Sequence, residues 1–283
     1  MATGPSRAEN ADYVIAELRA LGIDPPDDSR LMRMRDVAHR GYVDFHDPDF
    51  KIALEGDRDL VSLGFVLEQL RLHGDDPAFV KVVKRLIYDA VVPQDEPDSN
   101  TPGRDAQFEL YLAASCQKAG FGPIGYAEPD ITCVVDGLRF CIAAKRVKRV
   151  RQASKRIKAA AAQIVKSGQP GIVALDMAIA WNPKNVPMVS PLWNQMFDQT
   201  CDLRCKDFFD KRKVLIVEHG FGKGVVGVVA FDFRTRYVGH WEQHRTADWF
   251  DMEGAEDEHQ LFQTFYDGFC SVIPNRQQTI GAQ

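Results

Sequence analysis

The sequence predicts an α/β protein: a mixed central sheet flanked by helices, preceded by an all-helical N-terminal region. Three observations carry that expectation. In residues 1–95 the apolar positions recur at helical spacing, with no alternating strand pattern. From residue 104 on, short apolar runs alternate with amphipathic stretches, the order that builds a sheet with helices on its faces. Between the two, VPQDEPDSNTPG (92–103) is polar and rich in Pro and Gly, a joint rather than an element. The chain thus divides into a helical region 1–95, a linker 96–103 and a sheet-containing domain 104–283.

Taken in order, residues 8–22 place apolar side chains at helical spacing and stop at Gly22. Residues 28–41 repeat the pattern through Leu31, Met34 and Val37. The stretch 58–73 is stronger, and 77–91 opens with Pro77, a residue suited to a first helical turn. Beyond the linker, 104–119 carries Phe108, Leu112, Ser115 and Ala119 on one stripe and ends at Gly120. Ile131–Val135 and 138–144 are strands joined by Asp136-Gly137, a strong hairpin signal. Residues 152–167 form a helix whose Ala159, Ala160, Ala161 and Ala162 permit close packing on a sheet. GIVALDMAI (171–179), KVLIVEHG (213–220) and VVGVVAFDF (225–233) read as buried strands, and 256–272 as a closing helix.

A hydrophobic share of 45% and a charged share of 27% are ordinary for a soluble protein. No apolar run reaches the roughly 18 residues that span a bilayer, and MATGPSRAENADY lacks a secretory pattern. The six cysteines (116, 133, 141, 201, 205, 270) are scattered and read as reduced thiols, so the expectation is a cytoplasmic protein without membrane contact. The net charge of −5 conceals an asymmetry. Between Gly137 and Leu175 stand ten Lys or Arg residues and no Asp or Glu, a distribution suited to a face that meets phosphates.

The hairpin permits a geometric reading. A two-residue loop pairs Val135 with Leu138, and the count runs back to Asp130 opposite Ala143 and Glu128 opposite Lys145. Those four then share one face, with opposed residues about 5 Å apart. A carboxylate and an ammonium at that separation can serve one phosphate. Hydrolysing a phosphodiester needs an activated water and stabilisation of developing charge, which oxygen-ligated Mg²⁺ or Mn²⁺ supplies. A neighbouring lysine orients the water or neutralises the phosphate. Lys148, Arg149, Arg151, Lys155, Arg156 and Lys158 are the candidates for backbone phosphate contacts. The plainer alternative for them is a solvated helix face.

At these residues the chain resembles the PD-(D/E)xK nuclease superfamily, which has the restriction endonuclease-like fold. Pro129-Asp130 matches the PD element, and Ala143-Ala144-Lys145 sits where (D/E)xK belongs. Glu109 in FELYLAA matches the acid many members carry on the preceding helix, and Gln163 is similar to the glutamine of one branch. The resemblance covers about residues 104–180, and extends to 235 if the later strands complete the sheet. It implies a DNA nuclease with Glu109, Asp130 and Lys145 catalytic, Glu109 and Asp130 holding Mg²⁺ or Mn²⁺, and Glu128 and Gln163 supporting.

One departure stands out: Ala143 replaces the second acid. Glu109 or Glu128 supplies the missing ligand, or the chain binds nucleic acid without cutting it, or the alanine is an introduced inactivating change. The alternative function is therefore a catalytically inactive nucleic-acid-binding protein. The helical region is read as serving recognition, dimerisation or regulation, with a homodimer left open. Weaker signals are Cys201/Cys205 and His240/His244, neither with full zinc-site spacing, and Gly220–Gly224, read as a loop between two strands.

Overall fold

The computed structural model describes residues 6–41, 46–93, 101–187, 203–220, 222–237, 241–252 and 256–272. They form an α/β protein with a helical N-terminal region and a five-stranded mixed sheet flanked by helices. Two compact units divide the chain, Met1–Ala114 and Ser115–Gln283.

The first unit holds α1 (Arg7–Ala20), α2 (Arg30–Arg40), α3 (Phe50–Gln69), α4 (Pro77–Val83) and most of α5 (Pro102–Lys118). Its helix starts follow sequence chemistry. Ser6 and Glu9 form a reciprocal capping box ahead of α1, with Ser6 N donating to Glu9 Oε2 at 2.7 Å. Asp76 caps α4 ahead of Pro77. Helix α3 begins at Phe50, earlier than the predicted 58, and the 77–91 helix shortens to α4 plus the 3₁₀ turn Lys84–Ile87. Val14, Leu18, Leu31, Leu63, Val66, Phe79 and Leu86 fill the core.

A buried polar network holds α5 to this unit. The Arg30 guanidinium meets Asp59 at 2.6 Å, donates to Gln107 Oε1 at 2.9 Å and reaches the Leu86 carbonyl at 3.1 Å. Arg104 lies 3.2 Å from Asp59 and donates to the Val91 carbonyl at 2.7 Å. Burial pushes the Arg104 guanidinium down to about 10, against the pull of Asp59. These contacts explain why the units divide inside α5, past the linker at 96–103, of which 94–100 lie outside the described residues.

The second unit is built on strands in the order β1-β2-β3-β4-β5: Ile131–Val135, Leu138–Arg146, Gly171–Asp176, Val225–Tyr237 and Trp241–Asp251. The outer pairs β1/β2 and β4/β5 are antiparallel, and β2/β3 and β3/β4 are parallel. Asp136 and Gly137 both take positive φ (50° and 76°), as the expected two-residue turn requires. Helix α6 (Ala153–Ser167) crosses from β2 to β3 and stops at Gly168 in the left-handed region. After β3 come α7 (Ala178–Trp181), α8 (203–210) and α9 (Lys213–Gly220), and after β5 comes α10 (Glu256–Val272).

Alternation along the strands gives the sheet two apolar faces. On one, Ala143, Val173, Leu175 and Ala230 pack against Ile157, Ala160 and Ile164 of α6, with Phe208 and Ile216 beside them. On the other, Phe140 stacks on Phe265 of α10 at 4.7 Å, and Phe231 and Trp249 meet Phe269.

Three expectations are corrected here. Residues 213–220 are helix α9, not a strand. Ile216 and Gly220 face inward at a four-residue spacing while Val214 and Val217 lie at the surface. A short apolar run rich in Val and Ile does not distinguish the two periods. Gly220–Gly224 therefore joins a helix to a strand. The 171–179 strand ends at Asp176, where the chain turns into α7. Strand β5 has no counterpart among the sequence expectations: WEQHRTADWFD is too polar to announce itself, yet it pairs with β4 from Trp241 to Asp251.

Candidate functional site

The β1–β2 ladder follows the expected register from Val135↔Leu138 back to Ile131↔Ile142. There it stops. Asp130 leaves the strand with φ 81°, so the predicted pairs Asp130/Ala143 and Glu128/Lys145 do not form. The side chain turns inward instead, and Asp130 Oδ2 accepts from Ala144 N at 2.9 Å and Lys145 Nζ at 2.7 Å. Ala144 lies one pleat beyond the last ladder pair, on the strand edge β1 no longer covers. A backbone N–H left open there needs an acceptor, which Asp130 provides. Both side chains of the Asp130–Lys145 pair are largely buried.

The other predicted members are placed differently. Glu128 is a surface carboxylate, 73% exposed, lying 3.7 Å from Lys166 of α6. It is not partnered with Lys145. Ala143 is fully buried in the core beneath α6. Glu109 belongs to the first unit, where Arg85 reaches its carboxylate at 3.0 and 3.3 Å. Gln163 stands one turn before Lys166 on α6, its Oε1 buried without a hydrogen bond.

The basic stretch emerges from the same end of β2. Ala153, Ile157, Ala160, Ala161 and Ile164 turn α6 onto the sheet, which leaves Lys155, Arg156 and Lys158 outward, next to exposed Arg151. Among the described residues these four cations have no acidic partner. Lys148 and Arg149, in the link to α6, are half-buried.

Sequence reasoning missed two buried ion pairs at this sheet edge. Arg146, the residue after Lys145, meets Asp176 at 2.7 Å, and Asp176 also accepts from Ala178 N at 3.0 Å. Asp232 and Arg234 pair at 2.9 Å on β4. Burial pushes the Asp232 carboxyl up, against the pull of Arg234. The signal was available: charged residues closing the apolar runs CIAAKR, IVALD and VVAFDFR. Strands β2, β3 and β4 run parallel, so Lys145, Arg146, Asp176 and Asp232 share their carboxyl edge, where open α/β sheets hold ligands.

Among the described residues, the side chains around Asp130 do not by themselves assemble a ligand set for Mg²⁺ or Mn²⁺. Asp130 offers one carboxylate, with Oδ2 already engaged by an ammonium and a backbone N–H. Among the described residues no three His, Cys, Asp or Glu side chains gather into a metal-binding group. Cys205 Sγ instead donates to Asp248 Oδ2 at 2.7 Å, while Cys201 and His240 lie outside the described residues and His244 is described only by its backbone, in β5. No helix among the described residues is long and apolar enough to cross a membrane. Comparison of the chain with protein-family models, curated proteins and solved structures finds no match.

Proposed function

We propose that the second unit is a restriction endonuclease-like module that binds DNA through its phosphates and, with alanine at 143, does not cleave it. The observation that carries this reading is the ion pair of Asp130 with Lys145, set beside a helix whose outward cations lack acidic partners among the described residues. The element order supports the fold assignment. Helix α5 is followed by a short antiparallel bridge at Gly125↔Thr132, the β1–β2 hairpin, crossover helix α6 and parallel β3. Asp130 serves the module by holding the hairpin mouth and the lysine ammonium, and the ammonium and the α6 cations receive phosphate oxygens.

The test is binding of a duplex DNA by fluorescence anisotropy across a salt series. Replacing Arg151, Lys155, Arg156 and Lys158 together by Gln should lower affinity and flatten the salt dependence. Each phosphate left without its cation takes about 0.9 off the slope of log K against log salt. Unchanged affinity in that variant would end the DNA reading. The rival is a cation-dependent DNA nuclease, favoured by the same convergence of aspartate and lysine. It predicts cleavage in Mg²⁺ or Mn²⁺ that rises in Ala143→Glu and disappears in Asp130→Ala. Cleavage by the unaltered chain would displace the binding-only conclusion.

A further inference from the structure

We propose that the groove between α1, α2 and α3 in the helical unit binds a small, uncharged, apolar ligand that presents one N–H or O–H donor to Asp57. The proposal does not rest on the DNA reading. The groove is open on one side, holds about 280 Å³ and is lined by Met34, Val37, Leu60 and Val61, with Ser6, Arg7, Asn10 and Asp57 as its polar residues. A closed apolar cavity of about 150 Å³ holds benzene, so this space suits a two-ring ligand. An apolar wall with a few converging polar groups is the usual form of a small-molecule site. Val61 is 47% exposed, an apolar surface with no cover among the described residues.

Asp57 sets the chemistry of the occupant. Its Oδ2 lies 2.6 Å from Arg7 Nη2, while the carboxylate side chain is only 14% exposed. The second oxygen, Oδ1, accepts no hydrogen bond among the described residues. Burial pushes this carboxyl up to about 6 even against the pull of Arg7, as expected of an under-solvated carboxylate. A ligand ammonium would meet the Arg7 guanidinium, and a ligand carboxylate would meet Asp57. A neutral donor meets neither objection and can take the place of water on the Asp57 oxygen that Arg7 leaves open.

Indole and 1-methylindole form a matched pair of probes, since the second lacks only the N–H. Isothermal titration of the full chain should show saturable indole binding, with 1-methylindole about tenfold weaker or more, the loss of one hydrogen bond to a charged acceptor. In Asp57→Leu the difference between the probes should vanish. Ala38→Phe and Ala53→Leu, which fill the groove from α2 and α3, should each abolish binding while circular dichroism shows a folded chain. Absence of saturable indole binding, equal affinity of the two probes for the unaltered chain, or full binding in both filled variants would overturn the proposal.

Discussion

Asp130 performs two tasks with one carboxylate oxygen: it closes the backbone edge beyond the hairpin and it holds the Lys145 ammonium. Its φ of 81° lies in the region that Asn tolerates, so Asp130→Asn isolates the charge from the backbone geometry. Urea unfolding of that variant should show a loss of about 1.5–3 kcal/mol, the value of a hydrogen bond between charged groups. Its DNA affinity should rise severalfold, because removing the Asp130 charge takes away a carboxylate that repels the phosphates and competes with them for the Lys145 ammonium. Asp57 yields a second prediction at this scale. Its folded pKa, about 6, stands above an unfolded value near 3.8, so the folded state holds more protons between the two. Stability should therefore fall by about 2–3 kcal/mol as pH rises from 4 to 6.5. Asp57→Asn should lack that component, as read from urea midpoints at three pH values. The Asp130–Lys145 meeting was legible because it depends on a short hairpin with a recognisable turn. The positions of Glu128 and Glu109 were not, since both depend on partners, Lys166 and Arg85, that no local pattern announces.

Among the elements, α5 shows how a helix can be assigned correctly and attached wrongly. Its apolar stripe was visible in the sequence, but its attachment is decided by Arg104 and Gln107, which enter the network around Asp59 and Arg30. Removing one member leaves buried charge uncompensated. Asp59→Ala should cost about 3–5 kcal/mol, measured by chemical denaturation, far more than an exposed pair such as Lys211–Asp207 would. Helix α9 and strand β5 fail for complementary reasons. In α9, β-branched residues occupy a helix held by Ile216. In β5, polar residues occupy a strand held in place by its long pairing with β4.

At the scale of the whole chain, the helical-then-mixed organisation and the sheet hairpin were readable from periodicity, whereas the division between units and the surroundings of Ala143 required packing. Ala143 is where the two scales meet. It is fully buried between the sheet and α6, so Ala143→Glu places a carboxylate among apolar side chains. The variant should lose about 3 kcal/mol or more and melt at a lower temperature by calorimetry. If Mg²⁺ restores the melting temperature of that variant but leaves the unaltered chain unmoved, the introduced glutamate has completed a cation site with Asp130.

The strand order has one more consequence. Since β1 to β5 lie side by side in the order in which they are encoded, each strand finds its neighbour already made when it leaves the ribosome. The sheet can then grow from one margin to the other during translation, starting at the Asp136-Gly137 hairpin, with α6 covering the nascent surface before β3 is added. No strand has to wait for a later one to be inserted between it and its predecessor.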